Sequence, residues 1–129
     1  MDESMDATPY TLAGMYVNLF DSRLEVIRNP RIETNTRWLL YDLSRCPDQP
    51  WVIAAAGRVE NEAHSENSLG FRISGMANTK CVVRARVPEQ PVAVTTGGNP
   101  AIIAWDEASR TVLVEFTNNP EGRQVEVRW

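Results

Sequence analysis

From Tyr10 onward, apolar and polar residues alternate in short runs broken by turn-forming residues about every ten positions, and helical periodicity is nearly absent. Gln124 to Trp129 shows the pattern most clearly. Val125, Val127 and Trp129 fall on one face and Gln124, Glu126 and Arg128 on the other, as in a strand with one face on a core and one in water. Leu69-Gly70-Phe71-Arg72-Ile73 and Val83-Arg84-Ala85-Arg86-Val87 repeat it. The runs predict strands over Gly14 to Phe20, Arg23 to Ile27, Thr36 to Leu43, Trp51 to Val59 and Ser68 to Ser74. Five more are predicted over Lys80 to Val87, Val92 to Thr96, Ala101 to Trp105, Arg110 to Phe116 and Gln124 to Trp129. Trp51 to Ala56 fits a buried strand or a short helix, and the flanking Pro50 and Gly57 favour the strand.

The residues between runs have the chemistry of turns. Gly97-Gly98-Asn99 supplies positive-φ positions for a hairpin, and Asp106 to Ser109 and Asn118 to Gly122 are turn-forming sets, so the chain from Val92 reads as a four-stranded meander. Pro30, Pro47, Pro50, Pro88, Pro91 and Pro100 all fall between runs, as a sheet requires of a residue that cannot donate to its ladder. Asn61 to Asn67 is the longest polar interruption and is expected to be an exposed loop. No internal repeat or linker divides the chain. The expectation is a disordered tail over residues 1–9, followed by one all-β domain over 10–129. That domain is an antiparallel β-sandwich of Ig-like or jelly-roll-like type with eight to ten strands, or else a small β-barrel.

Composition agrees with a folded domain. At 129 residues a chain hides roughly two-thirds of its unfolded surface, enough for a core without staples. Hydrophobic residues are 43% and charged residues 23%, values of an ordinary globular protein. The net charge is −4 and Lys80 is the only lysine, so the basic excess that tracks a phosphate backbone is missing and nucleic acid is not an expected partner. No apolar stretch has the length of a membrane span, and the acidic start lacks a signal peptide's positive and apolar regions. The expected location is cytoplasmic if Met1 is the native start and extracytoplasmic if the chain is an excised module. Cys46 and Cys81 have no metal or dithiol spacing, which leaves a single disulfide or two buried thiols as the options.

Candidate chemistry is sparse. Glu60, Glu62, His64 and Glu66 would project from one face of an extended segment. Of these, Glu62, His64 and Glu66 have the mixed ligand chemistry that holds a divalent cation. His64 with Glu60, Glu62 or Asp42 could supply a general acid and base. The ordinary reading is a solvated connection, and no metal or other cofactor is expected. Nucleophile elbow, P-loop and dinucleotide fingerprint are all absent. The aromatic residues offer more. Trp38 stands beside Arg37 and near Asp42, and Trp105 beside Asp106 at a strand end, placing flat rings, with Tyr41 among them, next to hydrogen-bonding groups as sugar stacking or an interface anchor requires. Trp38, Trp105, Tyr41 and Asp106 are therefore the candidate ligand-binding residues, against core packing as the ordinary role of each ring.

The C-terminal stretch carries a resemblance. Val92-Ala93-Val94, Gly97-Gly98, Trp105-Asp106, Thr111 to Phe116, Asn119 to Gly122 and Val125 to Trp129 resemble the closing β-hairpins of accessory sandwich domains. Such domains trail the catalytic domain of bacterial glycoside hydrolases and related carbohydrate-active proteins. The resemblance covers under a third of the chain, has Gly-Gly-Asn where Asp-Gly or Asn-Gly is commoner, and carries over no catalytic residue. It implies a non-catalytic accessory or carbohydrate-binding module whose partner is a glycan or a catalytic domain of the same polypeptide. The alternatives are a small enzyme with a carboxylate-histidine site and a protein-protein interaction module that docks through a sheet edge or Trp129.

Overall fold

Thirteen strands and one 3-10 turn, with no α-helix, make up residues 10–33, 39–98 and 101–129, which the computed structural model describes. The expected tail over 1–9, Trp38 and part of the expected strand over Thr36 to Leu43 lie outside the described residues. The chain divides into two compact units, residues 1–46 and 47–129.

In the first unit, β1 (Tyr10–Thr11) pairs antiparallel with β4 (Arg31–Ile32). A separate sheet places β2 (Met15–Asn18) between β3 (Val26–Arg28) and β5 (Leu40–Asp42). These strands are shorter than the apolar runs predict, because side-chain acceptors offer the backbone another partner. Asn18 Oδ1 accepts from Phe20 N at 3.0 Å, and Asp21 Oδ2 accepts from Arg23 N at 2.9 Å and Glu25 N at 3.2 Å. The chain therefore turns where the run Gly14 to Phe20 would have continued. Leu43–Arg45 forms the 3-10 turn after β5, and its N-cap is Asp42.

The second unit is an antiparallel β-sandwich of two four-stranded sheets, and it is not a closed barrel. Its strands are β6 (Trp51–Ala55), β7 (Arg58–His64), β8 (Ser68–Ser74), β9 (Lys80–Arg86), β10 (Ala93–Thr95), β11 (Ile102–Asp106), β12 (Thr111–Thr117) and β13 (Arg123–Arg128). One sheet has the order β11-β12-β9-β6 and the other β10-β13-β8-β7. Both halves of the unit follow one plan. The outer strands of each half pair with each other, β6 with β9 and β10 with β13, while the inner strands form a hairpin in the opposite sheet. Each sheet thus holds one half's outer pair and the other half's hairpin, which interlocks the two.

The alternating residues meet in the core. Leu69, Phe71, Ile73, Val125 and Val127 of one sheet pack against Cys81, Val83, Val112, Val114 and Phe116 of the other. Full burial of such a side chain contributes about 1.5–3 kcal/mol each. Trp129 closes the chain against the β7–β8 turn, its backbone N–H donating to Asn67 O at 3.0 Å and its indole N–H to Glu66 O at 3.1 Å.

Four local expectations are corrected. Trp51 to Val59 is not one strand, because the chain crosses from one sheet to the other between Ala55 and Arg58. Asn61 to Asn67 is exposed as expected but only its end is a loop, since β7 continues to His64, pairing with β8 through a bulge between Glu60 and Ala63, and leaves Ser65 to Asn67 as the turn. The stretch from Val92 is not a meander, because β10 and β13 belong to one sheet and β11 and β12 to the other. Gly97 and Gly98, at φ 67° and 85° with open space around each Cα, do supply positive φ, but they turn the chain between sheets. The run Val83 to Val87 has no fully wet face, because Arg84 is only 6% exposed and its Nη1 donates to Thr111 Oγ1 at 3.1 Å.

Candidate functional site

The carboxylate and histidine candidates share one strand but not one face. Cross-strand partners point to the same side of a sheet. Glu60 pairs with Arg72, on the outer face of β8, while His64 pairs with buried Leu69 on the inner side. The bulge between them, with Asn61 at φ 55°, adds one residue and reverses the alternation. This corrects the expectation that Glu60, Glu62, His64 and Glu66 project together. Glu60 lies 3.7 Å from Arg58, and Glu62 Oε2 accepts from the backbone N–H of Val52 at 3.0 Å. Among the described residues no group of three His, Cys, Asp or Glu side chains is arranged to hold a metal ion.

Asp42 belongs to the first unit, where its Oδ1 accepts from Ser44 Oγ at 2.8 Å and Ser44 N at 2.9 Å. These bonds, the side-chain one foremost, hold its carboxyl below the ordinary value. Tyr41 is half-buried in β5. Trp105 packs against the sandwich core and donates its indole N–H to Glu107 Oε1 at 3.0 Å. Asp106 Oδ2 accepts from Ser109 N at 3.1 Å and from Ser109 Oγ, organising the β11–β12 turn. Cys46 and Cys81 are buried thiols with no disulfide between them, and burial pushes Cys81 up to about 11.

The sequence did not single out the outer side of the β11-β12-β9-β6 sheet. Buried Arg84, Thr111, Ser109 and half-buried Asp106 form a continuous hydrogen-bonded series there, with Thr111 Oγ1 and Ser109 Oγ 2.7 Å apart. Towards the other end of β12, buried Glu115 pairs with exposed Lys80 at 3.0 Å. The pair lines a cleft of about 530 Å³ together with Asn78, Thr79, Thr117, Ile102 and Phe116. The signal for this site was a lone lysine at a strand start two alternations before Arg84, and only the pairing of β9 with β12 brings Glu115 to it.

Beside this cleft begins β11, and its edge differs from the other three edges of the sandwich. Natural sheets blunt their edges with charge, proline, shortness or bulges. The β7 edge carries Arg58, Glu60, Glu62 and His64 and a bulge. On β6 there is a bulge between Val52 and Ala54, and Glu62 caps one of its N–H groups. The β10 strand is three residues long and closely follows Pro91. By contrast, β11 pairs without interruption from Ile102 to Asp106 and holds no charge or proline before Asp106. Its Ile102 is 59% and Ile103 45% exposed.

Compared with family models, curated proteins and solved structures, the chain matches none.

Proposed function

We propose that this chain is a non-catalytic binding module that receives an extended peptide segment of a protein partner along the free edge of β11. The observation that carries the reading is the contrast among the four sandwich edges, three blunted and one unbroken, apolar and exposed. An edge strand leaves alternate N–H and C=O groups outside its ladder, and an added strand satisfies them while alternate side chains set specificity. Ile102 and Ile103 offer one apolar contact on each side of the added strand. A segment of a catalytic domain in the same polypeptide, the partner implied by the C-terminal resemblance, is one such occupant.

The test is selection from a displayed random-peptide library on the wild-type protein, with counter-selection on an Ile102→Lys/Ile103→Lys double variant. Enriched peptides are expected to alternate apolar and polar residues and to lose binding to the variant. Peptides that bind both proteins equally would set the reading aside. Sedimentation that shows a dimer abolished by the same variant would make the occupant a second copy of the chain.

The cleft favours a second reading. Thr79, Thr117, Asn78 and the Lys80–Glu115 pair line it together with apolar Ile102 and Phe116, the mixture of hydrogen-bonding and apolar surface that a sugar ring presents in return. Titration with a panel of soluble oligosaccharides, followed by tryptophan fluorescence and repeated with Lys80→Ala, separates the two readings. A saturable signal lost in the variant supports a glycan in the cleft.

A further inference from the structure

We infer that a second cleft, where the start of β6, the end of β9 and the β11–β12 turn meet, binds a small oxyanion, a carboxylate or a phosphate group, between Arg86 and Arg110. The sandwich register builds this place. Trp51 pairs with Arg86 and Arg86 with Thr111, so the segment leading into β6, the last residue of β9 and the residue before β12 converge at one end of the sheet. The cleft encloses about 340 Å³ and is lined by Asp48, Pro50, Arg86, Pro88, Ala108 and Arg110, with Gln49 and Val87 completing it. That volume lies at the small end of ligand pockets, and the two prolines stiffen its walls.

Two features single out the arginines. The chain carries a net charge of −4, yet Arg86 and Arg110 line one cleft and neither forms an ion pair among the described residues. Asp48, in the same cleft, is paired with neither. Half-buried Arg86 spends one donor on a long bond to Ser109 O at 3.4 Å. A guanidinium has five N–H donors in a planar fork, so most donors of these two arginines remain for a ligand, and the fork fits the paired oxygens of a carboxylate or phosphate.

The second feature is the backbone of Arg110. Its φ is +55°, a left-handed conformation that costs a side-chain-bearing residue energy and favours glycine or asparagine. Its N–H donates to Glu107 O at 3.3 Å and its C=O accepts from Val87 N at 3.1 Å, which holds it there. Among the described residues, three of the other four non-glycine residues with positive φ are asparagines, Asn29, Asn61 and Asn78. An arginine kept in this conformation at the lip of a cleft is local strain placed where a charged fork has a use.

Titration with inorganic phosphate and with acetate at low ionic strength, followed by the Nε–H resonances of the arginines, tests the site. Saturable shifts at Arg86 and Arg110, absent with chloride at equal ionic strength, are expected. The anion that binds more tightly names the ligand class. Arg86→Gln and Arg110→Gly should each weaken binding about tenfold or more, whereas Asp48→Asn should tighten it severalfold by removing the one negative group of the cleft. Arg110→Gly should also raise the melting temperature, since glycine relieves the left-handed backbone. A variant that melts higher and no longer binds separates the role in binding from any role in folding. No saturable shift with either anion, or unchanged binding in Arg110→Gly, overturns the inference.

Discussion

The backbone N–H of Val52 donates to the carboxylate of Glu62 at 3.0 Å, and this bond ties the edge strand of one sheet to the edge strand of the other. A residue that looks like a metal or catalytic candidate in the sequence is the cap on a β6 donor. Glu62→Ala is expected to destabilise the fold by about 0.5–1.5 kcal/mol, the usual contribution of one such bond. Glu62→Gln, which keeps an acceptor, should lose less. Urea denaturation of the two variants checks the order.

The bulge on β7 gives a second expectation. Asn61 sits at φ 55° between Glu60, which pairs with outward Arg72, and Ala63, which pairs with Gly70. Asn61→Gly should leave stability unchanged or slightly raised. A β-branched residue there meets the left-handed penalty in full, so Asn61→Val should cost about 1–2 kcal/mol. Thermal melts of the pair separate backbone conformation from loss of the amide.

These two strands also show how far the sequence could be read. The all-β sandwich followed from alternation in Leu69 to Ile73 and Gln124 to Trp129, because each of those strands has one buried and one wetter face. Strand β7 was missed because all but one of its residues are exposed, so no apolar alternation marks it. What defines it is pairing with β8, a long-range fact. The distribution of strands between sheets was illegible for the same reason, since a hairpin and a crossing between sheets use the same turn residues, as Gly97-Gly98 illustrates. Of the candidate site, Trp105 and Asp106 were picked out by type, yet their hydrogen bonds to Glu107 and Ser109 serve the turn they belong to. The openness of β11 was legible only in part. Its uncharged Ile-Ile-Ala-Trp run is visible in the sequence, but its place at an edge is not.

Cys81 sets a pH dependence. Burial raises its thiol from an ordinary 9.0 to about 11, so between these values the folded state holds a proton that the unfolded chain releases. Its contribution is complete below pH 9, falls as pH rises through the interval, and is gone above about 11. The full change over these two pH units is on the order of 3 kcal/mol, at about 1.4 kcal/mol per unit. Cys81→Ala should flatten the fall in stability between pH 9 and 11, measured by denaturation at a series of alkaline pH values. The neutral buried thiol should also resist alkylation in the native protein at pH 7 and react on unfolding.

The claim that most needs a direct measurement is that β11 is where a partner strand adds. A peptide recovered by selection should be titrated into ¹⁵N-labelled protein and its effect mapped by chemical shift and amide exchange. The expected result is that the largest shifts fall on Ile102 to Asp106, with new exchange protection at alternate residues of that strand, where the ladder leaves N–H groups unpaired. Shifts that cluster on β7 or β10 while the amides of β11 keep their free exchange rates would contradict it.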